Sequence, residues 1–255
     1  MNPRGIAALA VLGVVVPLIG VVQRLAIAPL SRILPPARSV RLLTLWQLYG
    51  SLLAVAILRR LGGATIELPG PIPAEPGVLV LMNHQSLLDI LILVCSMRGV
   101  YPKIVTRARY AAGAPTISHM VRLYRYPLVD PANTTEESIA ALRQEAASTA
   151  HPLAIYPEGT RTRNGRIGRF KPLGLTTILR ARRWQVYVVV VDGLWKCQRL
   201  KDLVGNVSSI RVAARTNGPY RSPSPSDDPR PFIGEMRSVM TGMLDEIRAP
   251  EGAAP

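Results

Sequence analysis

At 255 residues the chain is long enough to bury one substantial core, or a core with a small appendage. A formal net charge of +15 with only 5% aromatic residues points to anionic partners such as phosphate and membrane lipid, and leaves base-stacking platforms poorly supplied, so no nucleic-acid partner is expected. Two cysteines, Cys95 and Cys197, exclude a disulfide framework, and the absence of Cys/His ligand spacing, a Walker-type loop or a Gly-x-Gly-x-x-Gly turn leaves no metal and no bound cofactor to expect.

From Met1 to Ile66 there are seven arginines, Arg4, Arg24, Arg32, Arg38, Arg41, Arg59 and Arg60, and no acidic residue. Between them lie two uncharged apolar runs, Gly5 to Val22 and Leu42 to Leu58. As helices they measure roughly 25 to 27 Å, slightly short of a hydrocarbon core of about 30 Å. Pro17 interrupts the first run, and Thr44, Gln47, Tyr49, Gly50 and Ser51 interrupt the second. A spanning hairpin would set Arg24, Arg32, Arg38 and Arg41 opposite Arg4, Arg59 and Arg60, against the positive-inside rule. Two helices dipping into one leaflet keep every arginine on the cytoplasmic face, and that monotopic arrangement is favoured over a full span. A signal peptide is disfavoured: the first run exceeds the usual apolar region of about 7 to 15 residues, and Arg24 and Pro29 crowd the cleavage site at Ala26-Ile27-Ala28. For the second run, a core helix with its polar residues facing solvent or a groove is the competing reading.

After the turn-rich Pro69-Gly70-Pro71-Ile72-Pro73, the short continuous run Val78 to Met82 reads as a strand buried on both faces, with Asn83 to Gln85 as its exit loop. Ser86 and Asp89 stand at capping-box spacing before the apolar segment Leu87 to Met97, which places Asp89 in a first helical turn, able to point back toward His84. A carboxylate on one imidazole nitrogen fixes the tautomer and stabilises the cation while the other nitrogen takes a proton from a hydroxyl. A helix cap beside an ordinary loop histidine accounts for the same residues equally well.

Tyr101 to Thr106 reads as a short strand, Ala114 to Leu123 as a helix and Tyr126 to Val129 as a strand. Thr134-Thr135-Glu136-Glu137 caps an amphipathic helix running to about Ala150, with Ile139, Leu142 and Ala146 on its inner face. Leu153 to Tyr156 is a strand that breaks into Pro157-Glu158-Gly159-Thr160-Arg161, and two strand ends of this kind in one open sheet face the same crevice. Arg161 offers a planar donor fork to a phosphate, and Gly159 allows backbone amides to approach it. Arg163, Arg166 and Arg169 read as a basic loop on anionic headgroups. Val186 to Val191 is a central strand, Val207 to Ala213 a further one, Pro219 to Pro231 a linker, and Phe232 to Arg248 a helix with Ile233, Met236, Met240, Leu244 and Ile247 on one face. This alternation predicts an α/β fold with a mixed, largely parallel sheet flanked by helices. The expected division is a separate membrane-associated helical hairpin at 1–66, the sheet domain at 67–215, and a linker with a C-terminal helix at 216–255.

Asn83-His84-Gln85-Ser86-Leu87-Leu88-Asp89 resembles the His, four residues, Asp signature of the glycerolipid acyltransferase family, whose bacterial members include lysophosphatidic acid acyltransferases. Tyr156-Pro157-Glu158-Gly159-Thr160-Arg161 resembles the Pro-Glu-Gly-Thr-Arg block of the same family, in the same order and at about the usual distance, so the likeness runs from Val78 to Gly193. The resemblance implies transfer of an acyl chain from a thioester, acyl-CoA or acyl-ACP as co-substrate, to the hydroxyl of a lysophospholipid, with lysophosphatidate the leading acceptor. It assigns catalysis to His84 and Asp89 and the acceptor site to Glu158, Gly159, Thr160 and Arg161, with Lys171 a weaker candidate. The expected partners are the acyl thioester donor, the lysophospholipid acceptor and anionic membrane lipids at the cytoplasmic face of the membrane. Where the family commonly carries an arginine just after a segment like Leu128-Val129-Asp130, this chain has Pro131, with Arg122 and Arg125 as the nearest substitutes. A different lipid alcohol or amine is therefore the alternative acceptor, and a non-catalytic basic scaffold is the reading from another class.

Overall fold

Every side chain of Val78–Met82 is buried, because the strand serves two cores at once. In the computed structural model, which describes residues 3–113, 115–130, 134–198, 202–203 and 206–249, ten strands occur. They are β1 (Thr65–Ile66), β2 (Ile72–Ala74), β3 (Val78–Met82), β4 (Met97–Gly99), β5 (Lys103–Ile104), β6 (Thr106–Arg107), β7 (Leu128–Val129), β8 (Leu153–Ile155), β9 (Gln185–Asp192) and β10 (Arg211–Arg221). Six of them form the main sheet in the order β1-β10-β9-β3-β8-β5. β9, β3, β8 and β5 run parallel, with Leu81 opposite both Ile155 and Val188, while β10 is antiparallel to β9. The small pairs β2/β4 and β6/β7 are also parallel. The mixed, largely parallel sheet expected from the sequence is present.

Alternation along β3 assigns its two faces. Val78, Val80 and Met82 join one core cluster, and Leu79 and Leu81 join the other. Each fully buried side chain of this kind contributes roughly 1.5–3 kcal/mol. The second face is covered by α6 (Glu136–Ser148), α7 (Pro172–Leu179) and α8 (Arg230–Arg248) through Leu142, Ala146, Leu175, Ile178, Met236, Met240 and Leu244. Thr135 caps α6 as expected, its hydroxyl accepting the Ser138 N–H at 3.2 Å.

The first face is covered by α4 (Asp89–Ser96) and by the N-terminal helices α1 (Pro3–Val22) and α3 (Pro36–Arg60); a π-helical turn at Gln23–Ile27 and the short α2 (Ala28–Ile33), which packs on α3, connect the two. Both N-terminal segments, Pro3–Ile33 and Pro36–Arg60, are long and apolar enough to cross a membrane. They nevertheless form one layer of the fold. Leu43, Gln47, Ser51, Val55 and Leu58 make a buried stripe along α3, and Ala8, Leu43, Val55 and Leu58 share a core with Val80. Two of the polar residues that interrupt the second run are docking contacts: the Thr44 hydroxyl accepts the Tyr101 N–H at 3.1 Å, and Gln47 Nε2 donates to the Tyr126 hydroxyl, whereas Tyr49 is exposed. The π-helical turn directs Gln23 inward, where its amide donates to His119 Nδ1 of α5 (Pro115–Leu123) at 2.8 Å and accepts from Trp46 Nε1 at 3.2 Å.

Three local expectations change, the first at Val207–Ser209, where a 3-10 helical turn stands in place of the strand start and β10 begins only at Arg211. Composition puts the start of a linker at Pro219, yet β10 continues to Arg221, past the expected boundary at 215/216. Pairing with β9 satisfies the backbone here, and a register shift between Asn217 and Tyr220 accommodates the proline at a strand with an irregular edge. Ser86 does not sit at the cap position of α4, which starts at Asp89 after Leu88, yet half of the expected box forms: Asp89 Oδ2 accepts the Ser86 N–H at 2.9 Å. The Ser86 hydroxyl instead donates to the Cys197 carbonyl at 2.5 Å.

Candidate active site

Because β3 lies between the parallel strands β8 and β9, the residues just past their carboxyl ends meet on one edge of the sheet. These are Asn83-His84-Gln85 after β3, Tyr156-Pro157-Glu158 after β8 and Asp192-Gly193 at the end of β9. Asn83 extends the ladder beyond the strand: its amide donates to the Val191 carbonyl and accepts the Val191 N–H, both at 2.8 Å. That double bond fixes where the chain turns into His84.

His84 Nδ1 lies 2.8 Å from Asp89 Oδ2. The acceptor is a carboxylate, so Nδ1 carries the proton and Nε2 is left with its lone pair. The Asp89 side chain is fully buried, and the same Oδ2 accepts the backbone N–H groups of Gln85 at 2.6 Å and Ser86 at 2.9 Å. The turn that orients the carboxylate is thus closed by main-chain amides. The imidazole also stacks on Tyr156, ring centroids 4.3 Å apart and 27° between planes. Burial, then the Asp89 charge and Tyr126, hold the Tyr156 phenol well above its ordinary pKa.

Glu158 does not orient Arg161. Its Oε1 accepts the backbone N–H of His84 at 3.0 Å and its Oε2 accepts the Gly168 N–H at 2.8 Å. Burial lifts the Glu158 carboxyl above 4.5, with these two amides pulling the other way. The reverse contact comes from Thr162, whose N–H donates to the His84 carbonyl at 2.8 Å. Gly159 turns with φ +65°, and a Cβ there would sit 3.0 Å from the Lys171 side chain, so Lys171 lies along the same turn. Thr160 is exposed. Arg161 is half-buried and donates to the Gln198 carbonyl. Arg122 is exposed and donates to the Ala111 carbonyl, and Arg125 is exposed after α5. Pro131 lies outside the described residues.

Several residues of the site are not among those the sequence motifs single out. Arg107, at the end of β6, donates from Nη2 to the Gly159 carbonyl at 2.5 Å and brings a second guanidinium to the Glu158 turn. Gln85, fully buried, donates from Nε2 to Asp192 Oδ1 at 3.1 Å and accepts the Leu194 N–H at 2.9 Å. Asp192 pairs with Arg248. A signal existed for Asp192, a carboxylate ending an apolar strand as Glu158 follows one; Arg107 had none.

The fold is thus a largely parallel α/β sheet with a His–Asp pair and a buried glutamate at its carboxyl edge. The chain belongs to the acyltransferase family, the group its two motifs resemble: the model of that family, described as Acyltransferase, matches residues 64–191. Among solved structures the chain is similar to the 1-acyl-sn-glycerophosphate (LPA) acyltransferase PlsC from Thermotoga maritima, with a TM-score of 0.69 and 15% identity over 94% of this chain and 96% of that one. No significant match occurs among curated proteins.

Proposed function

We propose that this protein moves a fatty acyl chain from an acyl thioester to the hydroxyl of a lysophospholipid, with lysophosphatidate the leading acceptor. The observation that carries this reading is the 2.8 Å contact between His84 Nδ1 and Asp89 Oδ2, which leaves Nε2 as a proton acceptor at a sheet edge lined by guanidiniums. Nε2 takes the acceptor hydroxyl's proton as the oxygen attacks the thioester carbonyl carbon. The tetrahedral intermediate collapses with cleavage of the C–S bond, and the proton held by His84 passes to the leaving thiolate, giving ester and free thiol. No covalent acyl-enzyme is required. Asp89 orients and stabilises the imidazolium, and Glu158 fixes the His84 backbone. Arg161 and Arg107 supply charge-assisted donors to the acceptor's phosphate from N–H groups beyond those spent on Gln198 and Gly159.

On the same reading the protein works at the cytoplasmic face of the membrane, held by one leaflet. Its support is the two-sided character of the N-terminal layer. The inner stripe of α3 is docked on the fold, while Val14, Leu18 and Leu25 of the first helical segment and Leu53 of α3 are exposed. Similarity to the LPA acyltransferase of Thermotoga maritima also favours lysophosphatidate as acceptor.

The test is an acceptor screen with purified protein in mixed micelles: acyl-CoA or acyl-ACP with lysophosphatidate, other lysophospholipids, and lipid alcohols and amines, each repeated with His84→Ala. Thiol release with lysophosphatidate that His84→Ala abolishes is the expected result. Turnover that survives His84→Ala removes the base, and turnover confined to a lipid without phosphate removes the proposed acceptor.

A further inference from the structure

We propose that Arg248, in the last turn of α8, is a positioning residue for the His84–Asp89 pair, acting through Asp192 and Gln85. This rests on the reading of His84 as the base. The connection is unbroken. Arg248 Nε donates to Asp192 Oδ2 at 2.7 Å, and Nη2 donates to Asp192 Oδ1 at 2.8 Å. Asp192 Oδ1 also accepts from Gln85 Nε2 at 3.1 Å, and the main-chain N–H of Gln85 donates to Asp89 Oδ2 at 2.6 Å. Asp89 Oδ2 is the atom bonded to the imidazole. A helix end far along the chain thus reaches the catalytic pair in three residue-to-residue steps, and the imidazole in four.

The chemistry of each link explains why it transmits position. Gln85 is fully buried, so its side-chain amide has no water to fall back on if Asp192 moves away, and a buried donor without a partner is costly. Asp192 is a carboxylate bonded to Gln85, and the guanidinium both neutralises it and fixes its plane through two parallel bonds. Arg248 Nη2 also donates to the Gly165 carbonyl at 2.8 Å. Gly165 belongs to the loop whose Glu158 holds the His84 backbone. One guanidinium therefore ties the end of β9, which holds Gln85 through Asp192, to the loop that grips His84, a task that needs three donor directions in one plane. An ion pair serving stability alone would not require the third bond or the buried glutamine.

The test uses the full-length protein in lipid micelles with acyl-CoA and lysophosphatidate, and the variants Arg248→Gln, Arg248→Lys and Asp192→Asn. Arg230→Gln, which breaks the exposed pair with Asp228 at the other end of α8, is the control. The expected result is a roughly tenfold fall in kcat for Arg248→Gln and Asp192→Asn, the scale on which small misplacements of a positioned group act, with KM for both substrates within about twofold. Arg248→Lys recovers part of the loss, and Arg230→Gln matches the parent protein. Nitrogen-15 NMR of histidine-labelled protein supplies a readout free of turnover. The chain has three histidines, and the His84 Nδ1–H signal moves or broadens in Arg248→Gln and Asp192→Asn. Parent-like kcat with an unmoved signal in both variants overturns the proposal, as does a loss confined to KM. If Arg248→Gln fails to fold, Asp192→Asn decides by the same criteria. A parent protein that turns over no acceptor sinks the enzymatic reading, and the NMR signal then still decides the positioning.

Discussion

Glu158 Oε1 accepts the backbone N–H of His84 at 3.0 Å across 74 positions of chain, so the carboxylate of the second motif grips the main chain of the first. With Thr162 donating to the His84 carbonyl, both main-chain polar groups of His84 are held by the second motif and the residue just after it, while its ring is held by Asp89 and Tyr156. Glu158→Gln puts an amide N–H₂ opposite one of two backbone donors. The expected cost is about 1–3 kcal/mol of stability with a fall in kcat, read by thermal unfolding and by turnover. A variant with parent-like stability would mean that the carboxylate serves the acceptor and not the backbone.

Asp89→Asn keeps the volume of the side chain and removes the charge that three donors share at Oδ2. The expected effect is a fall in kcat of roughly 10²- to 10⁴-fold, the range contributed by a positioned base. The far-ultraviolet dichroism should remain that of the parent. Turnover within a few-fold of the parent would show that His84 works without an orienting partner.

Gly193 follows β9 with φ +100°, and a Cβ there would stand 1.7 Å from the Arg211 carbonyl oxygen. Gly193→Ala therefore adds a backbone clash to a left-handed conformation, and the strain alone costs about 1–3 kcal/mol. Relief requires β9 and β10 to part at the end that carries Asp192. Lower melting temperature together with lost activity is expected, whereas Gly234→Ala, in open space on α8, should be stable.

Burial pushes the Asp192 carboxyl up, but hydrogen bonds from Arg248, Gln85 and the Gly193 amide outweigh it and set the folded value below 3.8. As pH falls the unfolded chain takes up this proton first, so the stabilisation is complete above 3.8 and is lost as pH drops through the folded value. The stability gap between the parent and Asp192→Asn should be flat from about pH 5 to 8 and close in stronger acid. Denaturant titrations across that range measure it, and a gap that widens on acidification would contradict the assignment.

The two sides of the N-terminal layer should respond differently. Val14→Asp and Leu53→Asp, on exposed apolar positions, should lower co-sedimentation with anionic vesicles by roughly tenfold or more, since a charge set into hydrocarbon costs about 2.5–3.5 kcal/mol. Gln47→Leu removes the bond to Tyr126 inside the fold and should lower the melting temperature without weakening vesicle binding. Equal loss of vesicle binding in all three would place α3 wholly in lipid.

The local pattern alone determined the β3 strand, the cap and inner stripe of α6 and the apolar stripe of α8, because each depends on residues within a few positions of one another; for His84 and Asp89 it left a catalytic pair and a plain helix cap equally open. Five positions separate the two side chains, close enough to meet, and the fold of the turn decided that they do. Distance along the chain hid the rest. That Glu158 holds the His84 backbone, that Gln47 and Thr44 are docking contacts in an apolar helix, and that Arg248 reaches Asp192 all follow from placing β3 between β8 and β9 with helices on both faces. Such hydrogen bonds join groups brought together only when the two cores close, and nothing in the spacing of the residues themselves announces which distant donor a buried carboxylate will receive.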